Sequence, residues 1–134
     1  MKPKKVVRTR DVINKNFLLL DGLMTVHDAL LKMKEKEPCA IIVNKRTEHD
    51  EYGMVLLEHI AKNVLAEDRS PARVNLYEIM VKPLINISAD MDIRYCARLF
   101  VRYNIVCAPV LDKGEVVGII SLPAMVINGL VHFD

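Results

Sequence analysis

Apolar residues recur along this chain at helix and strand spacings in a fixed order, and the order occurs twice. In the first half Val26, Ala29, Leu30 and Met33 fall at i, i+3, i+4 and i+7, one face of a helix. An offset of 67 residues brings Ile93, Cys96, Ala97 and Phe100 onto the same spacing. Both predicted helices carry start signals: Thr25 with Asp28 three residues on resembles a capping box, and Asp92 stands at the equivalent N-cap position. Short apolar runs at 39–43 and 106–111 follow and predict buried strands. In the second half Asp112, Lys113 and Gly114 then make a hairpin turn. The first half has a longer polar connection at 44–51, which shifts the offset to 65. Third strands are predicted at 52–56 and 117–121. Last come two helices, with Leu57, Ile60, Ala61, Val64 and Leu65 against Leu122, Met125, Val126, Gly129 and Leu130, both at i, i+3, i+4, i+7 and i+8.

Each half, 17–65 and 84–130, therefore reads strand, helix, strand, turn, strand, helix. A half of that size does not easily bury its own sheet. Two related halves that share one core do, and the seam between them forms clefts. The predicted fold class is α/β (α+β), with two pseudo-symmetric β-α-β-β-α repeats packed sheet to sheet. The predicted segments are a basic N-terminal arm at 1–11, a first repeat at 12–66, a connector at 67–83 and a second repeat at 84–134. Within the connector, Ser70 and Pro71 read as an N-cap and a first-position proline. Leu76, Ile79 and Met80 continue a short apolar stripe, which Lys82 and Pro83 end.

Composition sharpens this picture. A chain of 134 residues buries about 70 % of the surface it exposes when unfolded, enough for a sizeable core. Aromatic residues make up only 5 % and Trp is absent, so the core is aliphatic. The formal charge of +2 is unevenly spread. Lys2, Lys4, Lys5, Arg8 and Arg10 precede the first acid, Asp11, and without them 14 basic residues face 17 acidic ones. The arm reads as a solvated, frayed terminus. The other reading is an arm that reaches phosphates. No aromatics are interleaved with its cations and no zinc-finger or RNA-binding signature occurs, so nucleic acid is not the expected partner.

Other classes drop out as well. The N-terminal cations are not followed by an apolar signal region, and no apolar run approaches the ~20 residues of a membrane span. Cys39, Cys96 and Cys107 read as small hydrophobes in a reducing compartment, so the expected location is cytoplasmic. The four histidines are scattered, and neither HExxH, CxxC nor a phosphate-binding Gly-rich loop is present. Catalytic residues, metal ligands and a required cofactor are therefore not expected.

Several ordered stretches carry a family resemblance. They are Tyr77, Glu78, Ile79 and Met80 leading into Pro83, Leu84, Ile85, Asn86 and Ile87, then Asp90, Met91, Asp92 and Ile93 opening a helix. Ala108, Pro109, Val110, Leu111 and Asp112, and the run Gly114 to Ser121, complete the set. Together they resemble the tandem CBS domain pair, or Bateman module. The resemblance implies two equivalent clefts that bind adenosine compounds: AMP, ADP, ATP, S-adenosylmethionine or NAD. It implies a regulatory module that signals to a partner protein, and a homodimer paired through the apolar outer faces of the last helices, near 126–133. An adenine nucleotide is then a regulatory ligand. The other reading of the chain is a constitutive dimeric scaffold with degenerate ligand sites.

Such a cleft needs an apolar slot for the base, an acceptor for the ribose hydroxyls, and hydroxyls, cations or a helix N-terminus for phosphate. The slot positions implied are Met80, Ile85, Val106 and Cys107 in the second half, and Leu18, Cys39 and Ala40 in the first. Each is also the kind of residue found in a plain core. Ser121 matches the family's hydroxyl where the third strand enters the last helix, a place equally suited to an N-cap. Its counterpart is Leu56. Arg73, Lys82 and Arg94 lie near the second-half entry, within reach of phosphate, and each also reads as a solvated surface charge. The family's ribose carboxylate, three residues past the hydroxyl, is replaced by Ala124 in the second half and by His59 in the first. Hydrogen bonds to a charged group contribute about 1.5–3 kcal/mol each, so the exchange bears directly on affinity.

Overall fold

The computed structural model describes residues 6–38, 40–83 and 85–133. The chain divides into two compact units, Asn16–Leu84 and Met1–Lys15 with Ile85–Asp134. Among the described residues the strands form two three-stranded sheets, one in each unit. No described helix is long and apolar enough to cross a membrane.

In the first-repeat unit, β1 (Leu18–Leu20) pairs parallel with β2 (Ile41–Val43), and β2 pairs antiparallel with β3 (Gly53–Val55). The central strand is β-branched and buried at every position, as a strand covered on both faces requires. Between β1 and β2 lies α1 (Val26–Lys36), which starts where Thr25 Oγ1 accepts the Asp28 N–H at 3.1 Å. Its apolar face buries Val26, Ala29 and Met33. The second-repeat unit repeats this order. There β4 (Ile87–Ser88) pairs parallel with β5 (Cys107–Asp112), and β5 antiparallel with β6 (Glu115–Ser121). Helix α4 (Ile93–Tyr103) is capped by Asp92 and buries Ile93, Cys96 and Phe100. The turn joining β5 to β6 holds Lys113 at φ 53° and Gly114 at φ 82°. Two successive positive φ angles match the twist of a two-residue hairpin, and the glycine takes one without cost.

The arm expected to be frayed is instead packed on the second-repeat core through Val7, Thr9 and Val12. Val7 and Val12 are buried, and each fully buried valine contributes about 1.5–3 kcal/mol. Thr9 is fully buried, its hydroxyl donating to the Ser88 carbonyl at 2.6 Å. Five backbone bonds tie the strap down: Ile93 N–H to Val7 O, Thr9 N–H to Met91 O, Arg10 N–H to Ala89 O, and Asn14 and Ile119 to each other in both directions. The connector does the same for the first-repeat unit through α3 (Leu76–Ile79). Val26 donates to Val74, Leu76 to Met24, Tyr77 to Gly22, and Met54 and Val81 exchange bonds in both directions. The two sets correspond one for one. Each sheet is thus closed by the segment that precedes the other repeat. Lys2, Lys4 and Lys5 lie outside the described residues.

The last helices differ from expectation. A helical turn at α2 (Leu57–Ile60) runs into a π-helical turn at Ala61–Leu65, where the Ala66 N–H reaches back five residues to the Ala61 carbonyl at 2.8 Å. In the second unit α5 (Leu122–Ala124) runs into a π-helical turn at Met125–Gly129. The predicted five-residue face is not buried as a whole. Ile60 and Val64 are buried while Leu57, ahead of the wider turn, and Leu65, at its end, are exposed, and Met125 and Gly129 are buried while Val126 and Leu130 are exposed. The strand at 106–111 also begins one residue late, leaving Val106 outside β5 and 68 % exposed.

The straps set a packing limit that substitutions can read. A Cβ on Gly118 meets Ile13 Cβ at 2.9 Å and the Asn14 carbonyl oxygen at 3.0 Å, so strap backbone must move. At the equivalent Gly53 the clash is with Met80 Sδ, the tip of a flexible side chain. Gly118→Ala is expected to cost about 1–3 kcal/mol in urea unfolding, and Gly53→Ala clearly less. Equal losses would show that the strap backbone does not set the limit.

Candidate functional site

Of the site residues expected from the sequence, Leu18 and Ala40 lie where β2 begins and Val106, Cys107 and Ser121 where β5 begins, whereas Met80 and Lys82 lie elsewhere. In the second-repeat unit Cys107 opens β5 and lies directly across from Ser121, the last residue of β6. Ser121 also heads α5, its Oγ accepting the Ala124 N–H at 3.3 Å. The hydroxyl expected near phosphate therefore serves as the N-cap, and a hydroxyl's second lone pair leaves it able to meet a ligand as well. Ile85 is partly buried against the second-unit core, and Val106 projects into solvent beside Cys107. Ala124 is half-buried and supplies no polar side-chain atom.

In the first-repeat unit Leu18 and Ala40 are brought together, with the Leu18 N–H donating to the Ala40 carbonyl at 3.1 Å. Both side chains are buried. Cys39 lies outside the described residues. Leu56 heads α2 without a side-chain acceptor, and the cap is built in reverse: His59 Nδ1 accepts the Leu56 N–H at 3.0 Å. That bond fixes the ring as the tautomer carrying its proton on Nε2. His59 is thus held by its own helix start, and the first corner lacks a hydroxyl.

Two cations expected at the phosphate are engaged elsewhere. The Lys82 ammonium contacts Asp50 Oδ1 at 3.1 Å and donates to the Glu51 carbonyl at 2.5 Å. Arg94 is clamped by Asp92 at 2.7 Å and lies over the Phe133 ring. Met80 packs against the first-unit core and lines a separate cavity there of about 230 Å³. Of the two cysteines described, Cys96 is fully buried and its thiol is pushed up to about 11 by desolvation, so it is a packing residue rather than a nucleophile.

Sequence reasoning missed the straps as repeated elements. The signal was present at the same 67-residue offset, in Val7 and Val74, Asp11 and Glu78, Val12 and Ile79, and Lys15 and Lys82. The acidic pair shows it best. Asp11 Oδ2 accepts the Arg8 N–H at 2.9 Å, and Glu78 Oε2 accepts the Asn75 N–H at 2.7 Å.

Comparison with known proteins follows the same outline. The CBS domain model matches residues 76–125. The hexameric CBS-CP12 protein from bloom-forming cyanobacteria is 34 % identical with a TM-score of 0.82, over 91 % of this chain and 70 % of that one. An uncharacterized protein of Methanocaldococcus jannaschii is 25 % identical over 111 residues, and the match spans 82 % of this chain but only 60 % of that relative's length. A CBS domain protein of Pyrobaculum aerophilum, solved in complex with AMP, shares the fold at a TM-score of 0.77 and 17 % identity, over 93 % of this chain and 95 % of that one. The chain belongs to the CBS domain family, and it carries the domain twice.

The Lys82 clamp has a pH signature. The backbone N–H groups of Arg46 and Glu51, with the Lys82 ammonium, hold the Asp50 carboxyl down to about 2. A depressed carboxyl favours the folded state above the usual aspartate range, and the contribution disappears as the pH falls toward 2. NMR titration of the Asp50 carboxyl is expected to show a midpoint near 2, moving upward in Lys82→Ala. A midpoint in the ordinary aspartate range would contradict the clamp.

Proposed function

We propose that this chain is a regulatory module that senses an adenosine nucleotide, with its better site on the second repeat. The observation that carries this is the Ser121 hydroxyl, placed at the head of α5 and across the sheet from the slot residue Cys107. A hydroxyl at a strand-to-helix junction is a ready phosphate contact. The slot positions Ile85, Val106 and Cys107 combine apolar surface with strand backbone that can read a base edge. The AMP complex of the Pyrobaculum aerophilum protein supports the ligand class. Occupancy of the site then alters the surface offered to a regulated partner.

The first-repeat corner is the poorer site, because it has Leu56 in place of the hydroxyl and His59 turned into the helix cap. The missing ribose carboxylates at Ala124 and His59 favour a second reading, a constitutive scaffold with degenerate sites. Calorimetry with AMP, ADP, ATP, NAD and S-adenosylmethionine separates the two. Saturable heat from one of them is expected, together with a rise in Tm at saturating ligand, since a ligand at 100 times its Kd stabilises the folded state by about 2.7 kcal/mol. No heat from any of the five at millimolar concentration leaves only the scaffold. Ser121→Asp locates the phosphate: aspartate caps a helix as well as serine does, but its charge opposes a phosphate. AMP affinity should fall at least ~10-fold, about 1.4 kcal/mol, with adenosine affinity unchanged. An equal loss for both would remove Ser121 from the phosphate contact.

We also propose self-association through the last helix of the second unit. Val126, Ile127, Leu130 and Val131 are each more than half exposed. Val126 and Leu130 also line an apolar groove of about 220 Å³, together with Ala97, Leu122 and Phe133. A contiguous apolar surface of this kind marks an interaction site, and an isologous pairing covers it on both copies. The hexameric CBS-CP12 protein supports assembly as a property of this architecture. Mass measurement in dilute solution is expected to give at least a dimer, reduced to monomer by Val126→Lys with Leu130→Lys; a monomeric parent chain would refute it.

A further inference from the structure

We infer that the opposite end of the first-repeat sheet, where β1 and β2 finish against α3, is a separate binding site for a small organic anion. The argument comes from comparing the two repeats at this corner. The backbone bonds make Arg10 the counterpart of Tyr77, since Arg10 N–H donates to Ala89 and Tyr77 N–H to Gly22. The strand pairings Leu20 with Val43 and Ile87 with Val110 make Asp112 the counterpart of Lys45, and Asp90 that of Leu23.

In the second-repeat unit this corner is closed from within. The Arg10 guanidinium is ion-paired to Asp90 and approaches Asp112 Oδ2 at 3.7 Å. The Arg8 guanidinium adds a bond to the Asp90 carbonyl at 2.6 Å. In the first-repeat unit all three partners of that network are exchanged. The central cation has become Tyr77, one acid has become Leu23, and the other has become the cation Lys45. What remains is a cavity of about 230 Å³ lined by Asp21, Leu23, Lys45, Arg46, Tyr77 and Met80, among others.

The charges facing this cavity define the ligand. Among the described residues neither Lys45 nor Arg46 is in an ion pair. Lys45 lies over the Tyr52 ring at 5.0 Å, and the Arg46 backbone N–H is held by Asp50. The one acid on the lining, Asp21, already accepts the Leu23 N–H at 2.8 Å. Two cations against one carboxylate leave a net attraction for an anion, in the place where the other repeat carries its own fixed carboxylate. Tyr77, Leu23 and Met80 supply an apolar wall for a short carbon body. The volume lies below the ~300–1,000 Å³ of pockets that take drug-sized ligands, which favours a compact ligand over a whole nucleotide. The ligand class is a compact carboxylate or phosphate compound. This inference stands apart from the adenosine reading, which uses the other ends of the strands.

The test is NMR titration of the full chain with succinate and, separately, with inorganic phosphate, at ionic strength held constant with chloride. Saturable shifts of the Gly22, Asn44, Lys45 and Arg46 amides are expected with at least one probe, and the probe that works tells carboxylate from phosphate. The Ala89 and Asp112 amides at the closed corner should stay still. Lys45→Gln with Arg46→Gln should weaken binding at least ~10-fold. Leu23→Asp with Tyr77→Arg rebuilds the internal pair and should abolish binding while leaving both cations in place. Non-saturating shifts, equal shifts at both corners, or shifts with AMP and neither small anion would overturn the proposal.

Discussion

The structure depends on backbone hydrogen bonds made by two exchanged straps. A three-stranded sheet with one covering helix leaves backbone groups and apolar side chains unmet at its far edge. In each unit they are met by a segment that belongs, in sequence, to the start of the other repeat. Val7, Thr9, Arg10 and Asn14 serve the second-repeat unit as Val74, Leu76, Tyr77 and Val81 serve the first. A buried carbonyl or amide without a partner costs about as much as a lost hydrogen bond or more, so neither sheet is complete on its own residues. Close approach of the straps also explains the glycines opposite them: Gly53 and Gly118 stand where strap side chains, and at Gly118 strap backbone, leave no room for a Cβ.

This arrangement makes the two repeats equal in backbone and unequal in chemistry. The same junction of third strand and last helix is capped by a hydroxyl in one unit and by an imidazole in the other. The same strap corner is an arginine–carboxylate cluster in one unit and a cavity rimmed by Lys45 and Arg46 in the other. Duplication fixed the scaffold, and the side chains then diverged at the strand ends. The candidate binding residues lie there, where backbone direction changes and strand groups become available to a ligand. In this chain the start of β5 and the end of β6 carry the Ser121 corner, and the ends of β1 and β2 carry the anion cavity, so the two candidate sites draw on different residues of one framework.

The engaged cations narrow the reading of the second corner, where they were expected. Lys82 and Arg94 each have a carboxylate within ion-pair distance, at Asp50 and Asp92. These pairs are exposed and contribute little to stability. Their consequence is positional: Lys82 is directed toward the loop before β3, and Arg94 toward the helix start and Phe133. With both cations engaged, Ser121 is the polar side chain that the second corner keeps for a nucleotide, while His59 in the first corner is held by backbone.

The sequence by itself determined the order of elements, the twofold repetition, the caps at Thr25, Asp92 and Ser121, and the hairpin at Lys113 and Gly114. All of these are local: spacing, cap chemistry and turn geometry act within a few residues. It did not disclose that residues 6–15 are a packed strap, because cations near a terminus read as solvated until their partners, Asp90 and Asp112, are known to be adjacent. The exposure of Leu65 was also hidden, since apolar spacing assumes 3.6 residues per turn and a π-helical turn changes the register. The fate of Lys82, the reversed cap at His59 and the open corner beside Lys45 were decided by tertiary structure alone. Each depends on which distant side chain arrives at a strand end, and local pattern carries no information about that.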